Sequence, residues 1–398
     1  MTLDVRAPRD DGERDALSDL LCVCFNSPAD GIAVGMERVG ADHQRVLMDG
    51  ASVLGGLWQL PMGQWFGGRS VPMVGIAAVG VEAAARGTGA GDALMASTVR
   101  ELHARRVPLS CLYPATVNFY RRAGYELAGS RQRIELPLKG LRVRAAPGAT
   151  LRPGTATDLP EMERCYARSV GAHAGPLDRR DYCWARVRQP RGETARHWLV
   201  HEHGELSGYV TLIQKDSPDD IGYDLQLTDV AATTPGAVTT LLSFLSGQRS
   251  LSGRAILFGS DRHPLLLGLP EWLVKVSLDL HWMLRVTHAE QALTARGYAP
   301  AVSGELEFEL ADELIPEHAG PLQLSVREGH ATVTREPARS GAGRAPMRLD
   351  VRGLAALYSG FLTPPELVRM ELLQGSSEQL ATLGALFAGG TPWMADMF

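Results

Sequence analysis

Near the start of the chain Leu17, Leu20, Leu21, Cys24 and Phe25 recur at helical spacing, which predicts an amphipathic helix after an entry at residues 4–7. The period then changes. Residues 44–48, the Asp49-Gly50 turn and residues 52–60 predict two strands joined by a turn, with Gly67-Gly68 marking another. Residues 71–81, rich in Val, Ile, Ala and Gly, read as a buried strand. A Gly-rich turn, Arg86-Gly87-Thr88-Gly89-Ala90-Gly91, follows it and opens a helix with Leu94, Met95, Val99 and Leu102 on one face. A strand over 109–113, a short helix over 114–125 closed by Gly124, and a strand over 133–138 lead to the Lys139-Gly140 break.

A similar order then begins again. Leu151-Arg152-Pro153 reads as a strand, Thr157-Asp158-Leu159-Pro160 as a helix start, and residues 162–170 as the helix. Residues 198–203, turning at Gly204-Glu205 into 206–212, predict a hairpin; a strand over 223–231, a helix over 238–244 and strands over 254–258 and 281–286 follow. This is an internal duplication, argued from element order rather than from identity of residues. In the second copy the segment after the buried strand reads Ala232-Thr233-Thr234-Pro235-Gly236-Ala237, so no phosphate cradle is expected there. From about residue 286 the pattern alternates over 306–310, 322–327 and 331–335, with a loop by composition at 337–346 and helices over 351–359, 364–373 and 377–387. Three domains are expected, 1–145, 146–290 and 291–398.

Composition narrows the function classes. The 398 residues are 45% apolar and 21% charged, as in ordinary globular protein, and are long enough for two or three cores. Forty Lys plus Arg against forty-five Asp plus Glu gives 40 − 45 = −5, against a nucleic-acid binder with a broad cationic face. No apolar run approaches a membrane span, so no membrane partner is expected. The charged start, MTLDVRAPRDDGERD, is unlike a secretory signal. Cys22, Cys24, Cys111, Cys165 and Cys183 form no CxxC pair and leave an odd count, so neither a disulfide framework nor a metal site is expected and the cytoplasm is the default.

The Gly-rich turn carries the strongest chemical signal. Between a buried strand and a helix its backbone N–H groups converge on one concavity, where the helix dipole favours an anion, and Gly87, Gly89 and Gly91 remove side chains that would keep a pyrophosphate away. A Rossmann fingerprint needs a glycine where Asp92 stands, and the nucleotide triphosphate loop needs a Gly-Lys-Ser/Thr ending, so both are set aside. His201-Glu202-His203 lies on an alternating strand with no third ligand in view, and Cys22 and Cys24 read as core.

Arg86-Gly87-Thr88-Gly89-Ala90-Gly91 resembles the acetyl-CoA pyrophosphate turn of the Gcn5-related N-acetyltransferases, Arg or Gln followed after two residues by Gly-x-Gly/Ala. Asn118-Phe119-Tyr120-Arg121-Arg122-Ala123-Gly124-Tyr125 is similar to the same superfamily's second signature. The duplication, the third domain and the ending Trp393-Met394-Ala395-Asp396-Met397-Phe398 narrow the resemblance to the Eis (enhanced intracellular survival) acetyltransferases, over essentially the whole chain. That resemblance implies an α/β fold with mixed sheets: tandem acetyltransferase domains, the second without a CoA site, then a domain similar to sterol carrier proteins, matched here by residues 350–360.

Carried onto this sequence, the resemblance implies acetyl-CoA contacts at Val79, Gly80 and Val81 of the strand, at Arg86, Gly87, Thr88, Gly89, Ala90, Gly91 and Asp92 of the turn, and at Ala115 and Thr116 of the next helix. It implies Tyr120 as general acid and the terminal carboxylate of Phe398 as general base, with no metal. An attacking amine must lose a proton and a departing thiolate must gain one, so a carboxylate and a neutral phenol suit the two tasks. The implied acceptors are aminoglycoside-like polycations, acetylated at several amines; a protein lysine is the nearer alternative, and a non-catalytic CoA or lipid sensor the more distant one. Trp58, Trp65, Phe66 and Phe25 are either pocket walls or core, and Asp396 either a pocket acid or an isolated surface acid. Members of that family form hexamers, which implies a homo-oligomer.

Overall fold

The computed structural model describes residues 3–217, 222–335 and 347–398; the loop expected at 337–346 lies outside them. The first repeat comprises β1 (Leu3–Arg6), α1 (Asp11–Phe25), α2 (Ala29–Val39), β2 (Gln44–Asp49), β3 (Ser52–Phe66), β4 (Arg69–Val81), α3 (Ala90–Ala104), β5 (Leu109–Leu112), α4 (Val117–Arg122) and β6 (Glu126–Pro137). The second comprises β7 (Thr150–Pro153), α5 (Leu159–Val170), β8 (Leu177–Asp178), α6 (Asp181–Arg188), β9 (Arg196–Glu202), β10 (Glu205–Asp216), β11 (Tyr223–Ala232), α7 (Pro235–Gly247), β12 (Ser252–Gly259), α8 (Pro264–Leu267) and β13 (Lys275–Val286). The remainder is α9 (Ala289–Ala295), β14 (Gly304–Ala311), β15 (Gly320–Arg327), β16 (His330–Thr334), β17 (Met347–Asp350), α10 (Val351–Ser359), α11 (Pro364–Arg369), β18 (Leu373–Gln374) and α12 (Ser377–Leu386).

The duplication holds strand for strand. β2, β3 and β4 are antiparallel neighbours and β5 joins β4 in parallel; β9, β10 and β11 are antiparallel and β12 joins β11 in parallel. The chain nevertheless divides into two compact units that cut across the repeats: residues 1–129, 281–392 and 398 in one, 130–280 and 393–397 in the other. In the first unit β5 pairs antiparallel with Met283–Val286 of β13; in the second, β12 pairs antiparallel with residues 132–137 of β6. The last strand of each repeat therefore serves the sheet of the other unit, an exchange that element order along the sequence does not reveal.

Within the first unit β3 and β4 form a long hairpin. Gly67 and Gly68 have φ of 60° and 85°, the primed turn whose twist matches the flanking strands. Gly67 is required twice over, because the carbonyl oxygen of Gly297 lies 2.0 Å from where its Cβ would sit. The strand expected to stop at residue 60 runs on to Phe66: Pro61 lies past the end of β2, where its missing N–H interrupts no bond to that strand. The helix α2 was not expected, since Gly31 and Gly35 lower helical propensity. Gly35 is there for packing: the six-membered ring of Trp58 comes within 2.6 Å of its Cβ position. α3 buries Leu94, Met95, Val99 and Leu102 against Leu47, Leu57, Val74 and Ile76 of the sheet, and that core includes Tyr120 and Tyr125.

The same unit holds a five-stranded sheet in the order β16-β15-β14-β17-β18. Along β14, Leu306, Phe308 and Leu310 are buried while Glu305, Glu307 and Glu309 face outward. Nearly the whole of α10 is buried beside it. The second unit has its own core, in which Leu241, Leu242 and Leu245 of α7 meet Val210, Leu225 and Leu257 of the sheet. No described helix is long and apolar enough to cross a membrane.

In the second unit His263 is buried, its Nδ1 accepting the Leu265 N–H at 3.2 Å. Burial pushes its pKa down from 6.5 to about 4, so the folded state favours the neutral ring. The unfolded chain takes up that proton below 6.5, so the stability it contributes is present above pH 6.5 and lost progressively as pH falls toward 4. A shift of that size corresponds to on the order of 3 kcal/mol. Urea midpoints measured between pH 7.5 and 4.5 are expected to fall steadily, and His263→Gln is expected to flatten part of that slope; an unchanged slope would show that His263 does not titrate with unfolding.

Candidate active site

The site begins where two parallel strands part. β5 accompanies β4 only through Met73↔Leu109, Val74↔Ser110 and Gly75↔Cys111, whereas β4 continues to Val81. The last shared rungs are locked from within: Ser110 Oγ donates to the Val74 carbonyl at 3.0 Å and lies 2.7 Å from the Tyr125 hydroxyl. Beyond them β4 is bulged. Between the pairs Gly56↔Gly80 and Trp58↔Ala77, the single residue Leu57 on β3 faces Ala78 and Val79 on β4. Ala78 takes a left-handed φ of 50°, which costs a residue with a Cβ about 1 kcal/mol. Strain of this kind is concentrated where a strand must be re-aimed.

Val79, Gly80 and Val81 form the re-aimed end. Val79 and Val81 pack partly buried against the α3 core, while the missing side chain of Gly80 leaves room for Leu20 and Leu21 of α1, each 2.9 Å from its Cβ position. The Val81 carbonyl accepts from Arg86 Nε at 3.2 Å and faces Cys24 Sγ at 3.6 Å. Cys22 and Cys24, expected in the core, are only partly buried.

The turn that follows divides its glycines between two tasks. Gly87 and Gly89 have φ of 77° and 90° with open space around their Cβ positions, so backbone conformation demands glycine there. Gly91 differs: a Cβ would meet the Phe119 ring at 3.1 Å, so this glycine lets α3 approach α4 and does not simply clear space for an anion. Gly89 caps α3 without a side chain, and the first bond inside the helix runs from the Ala93 N–H to the Gly89 carbonyl at 2.9 Å. The amides of Ala90, Gly91 and Asp92 are thus the donors that a helix start leaves over, aimed as an anion requires. Thr88 Oγ1 turns inward to the Ala85 carbonyl at 2.7 Å, and the exposed Asp92 carboxylate pairs with Arg122 at 2.8 Å. Ala115 and Thr116 are exposed at the entry to α4.

Tyr120 is 6% exposed and packs with Val74 and Ile76 on one face of β4, its ring edge-on to Phe119 at 4.8 Å. Burial pushes its phenol up to about 12, so it stays protonated throughout the neutral range. Phe398 lies on the opposite face. Its ring comes within 2.6 Å of the Cβ position of Gly75, which the Met62 methyl also approaches to 3.0 Å, and stands 5.8 Å from the ring of Tyr113. Tyr120 and the last residue of the chain therefore flank the place where β4 and β5 part. Gly75 makes the seat for Phe398, and sequence reading missed it, although a glycine inside an apolar strand is the signal for close approach.

The second repeat closes the corresponding helix start. Thr234 Oγ1 accepts the Ala237 N–H at 3.0 Å, Pro235 contributes no donor, and the Glu202 carboxylate hydrogen-bonds Thr234 and lies 2.0 Å from the Cβ position of Gly236. A side-chain cap and a built-in carboxylate occupy what the first repeat leaves open. His203, expected on a strand, sits in the hairpin turn with φ of 52°. Among the described residues no cluster of His, Cys, Asp or Glu could hold a metal.

One other expectation is corrected, and one pair of alternatives is decided. Asp396 is neither a pocket acid nor a surface acid: it is buried in the second unit, paired with Arg179 at 2.8 Å, and Arg179 also makes a two-pronged pair with Asp229. Phe66 is no pocket wall but core, fully buried with its ring edge-on to Tyr358 at 5.1 Å. Trp58 is buried over Gly35, Trp65 is half-buried, and Phe25 is 47% exposed.

Comparison with known proteins bears on this geometry. Residues 4–128 and 175–286 each match an acetyltransferase (GNAT) domain, and residues 289–395 match a sterol carrier protein domain. No curated protein matches the chain. A solved GCN5-related N-acetyltransferase from Anabaena variabilis is 33% identical, each chain covering 100% of the other, with a TM-score of 0.92. One from Kribbella flavida is 26% identical over 100% of this chain and 99% of that one, with a TM-score of 0.86. Eis1 from Mycobacterium abscessus shares the fold at 20% identity and a TM-score of 0.78, with full coverage of both chains. The chain belongs to the GCN5-related N-acetyltransferases and is an acyltransferase.

Proposed function

We propose that this protein is an Eis-type enzyme that acetylates several amines of aminoglycoside-like polycations, with Tyr120 as general acid and the Phe398 carboxylate as general base. The carrying observation is the seating of Phe398 on Gly75, at the last rung shared by β4 and β5. Acetyl-CoA is the co-substrate of such domains and supplies the acyl group as a thioester. The residues suit it: amides at the start of α3 would donate to a pyrophosphate, the bulged end of β4 through Val79, Gly80 and Val81 would offer backbone groups to the pantetheine arm, and Ala115 and Thr116 leave the entry to α4 uncrowded. The Phe398 carboxylate takes the proton of the attacking amine, and the Tyr120 hydroxyl gives one to the leaving sulfur. The filled start of α7 supports a second domain without a CoA site, within the division 1–145, 146–290 and 291–398. A cytoplasmic homo-oligomer completes the reading, and the net charge of −5 suits a cationic acceptor.

CoA thiol release from acetyl-CoA by the untagged protein, across aminoglycosides, simple polyamines and lysine peptides, tests the acceptor. More than one CoA per aminoglycoside molecule is expected; release with lysine peptides alone would assign protein acetylation, and none with any acceptor would favour a sensor. Residues added after Phe398, or its deletion, are expected to lower kcat by about 100-fold or more while leaving acetyl-CoA affinity within about two-fold. Full turnover by the extended chain would remove the carboxylate from the mechanism. Tyr120→Phe is expected to lower kcat by about 100-fold with little effect on affinity. In the unsubstituted enzyme, a phenol held near 12 predicts no loss of rate from Tyr120 ionisation between pH 7 and 10; an alkaline decline in that range that vanishes in Tyr120→Phe would show that burial does not raise this phenol so far.

A further inference from the structure

Arg285 belongs by sequence to the last strand of the second repeat, yet it is fully buried in the first unit, beneath the turn that ends α4. Its Nη2 donates to Asp312 Oδ2 at 2.6 Å. The same oxygen faces His318 Nδ1 at 2.7 Å, and Asp312 Oδ1 accepts the N–H groups of Leu314 and Ile315 at 3.1 and 3.2 Å. His318 Nε2 accepts the Ala289 N–H at 2.8 Å, which places the ring proton on Nδ1, pointed at Asp312. The carboxylate is thus fixed on all sides and in turn fixes the guanidinium.

The other end of Arg285 has no such partners. Nε and Nη1 are buried without a hydrogen bond. Nη1, Cζ and Nε lie 2.5, 2.7 and 3.0 Å from the Cβ position of Gly124, so the guanidinium lies against that residue. Gly124 has φ of 82°, and only a residue without a side chain admits both the conformation and the contact. The turn it belongs to is tied to Tyr120: the Tyr120 carbonyl accepts the N–H groups of Ala123 at 3.0 Å and Tyr125 at 3.2 Å. α4 has only six residues and no side-chain cap at its start, so packing sets its orientation rather than intrinsic helical stability. A buried cation with two unsatisfied nitrogens is costly, and stability alone would be better served by an apolar residue.

We infer that Arg285, oriented by Asp312 and His318, is a positioning residue for acyl transfer: it supports the 123–125 turn and so fixes the direction of the Tyr120 hydroxyl. This rests on the proposed role of Tyr120. The charge at the end of α4 also suits the carbonyls of its last turn.

The test is a double-substitution cycle in the full chain, with Arg285→Met, Tyr120→Phe and the pair, measuring kcat, KM for acetyl-CoA and urea unfolding with the best acceptor from the panel. Arg285→Met is expected to lower kcat by about 10-fold with KM for acetyl-CoA within about two-fold, because small misplacement of a reacting group is enough for such a loss. In the Tyr120→Phe background the same change is expected to alter kcat by less than about two-fold, since there is no hydroxyl left to aim. An equal fold-loss in both backgrounds would overturn the inference and leave Arg285 a general support. Full turnover by Tyr120→Phe alone would overturn the catalytic assignment, and the inference with it, whatever Arg285→Met does. If Arg285→Met does not fold, Arg285→Lys serves: it keeps the charge but loses the planar fork, and its loss of about three-fold or more should likewise vanish without the Tyr120 hydroxyl.

Discussion

A parallel strand pair that stops after three rungs is the constraint on which the rest of this structure depends. While β4 and β5 stay joined, their edges are satisfied by each other; once they part at Gly75 and Cys111, the end of β4 is available to a ligand. Everything nearby serves that parting. Ser110 and Tyr125 hold the last rungs from inside the core, the left-handed Ala78 and the bulge around it re-aim β4, and Gly75 accepts the ring of Phe398 where the opening begins. Tyr120 belongs to the same core from the other face, so the groups proposed for acid and base work are placed by packing against one strand pair.

The two repeats show how little backbone difference separates a usable helix start from a closed one. Both place a helix after a buried strand beside a parallel neighbour. In the first, Gly87 and Gly89 bring the chain round in left-handed turns and leave the leading amides of α3 without a side-chain partner. In the second, Thr234 supplies the cap and Glu202 supplies the negative charge, so the dipole of α7 is answered from within. The hydrogen bond to Thr234 holds the Glu202 carboxyl below its usual value, as expected for a carboxylate serving as the helix's own anion.

Much of the architecture was legible because it is local. Period-two alternation marked the hairpins, helical spacing marked α1, α3 and α5, and the repeated order of elements marked the duplication before any residue identity did. The Gly-rich turn was equally legible, since left-handed backbone is a demand that only glycine meets freely. What escaped was whatever depends on a distant neighbour. Gly35 reads as a helix breaker until Trp58 is seen lying on it, and Gly91 reads as part of an anion cradle until Phe119 fills its side. Asp396 reads as a surface acid because nothing near it in sequence announces Arg179 and Asp229.

The sequence by itself determined the element order, the two related repeats and the turn that suits a pyrophosphate, because each follows from spacing or backbone demands within a few residues; Tyr120 and Phe398 became candidates only through the family resemblance. Tertiary structure alone decided that β13 leaves its own repeat to pair with β5, that Arg285 on it lies beneath Gly124, and that Phe398 rests on Gly75. Those arrangements join residues far apart in the chain, and their stability comes from burial and close packing in three dimensions, which no local pattern of residues encodes.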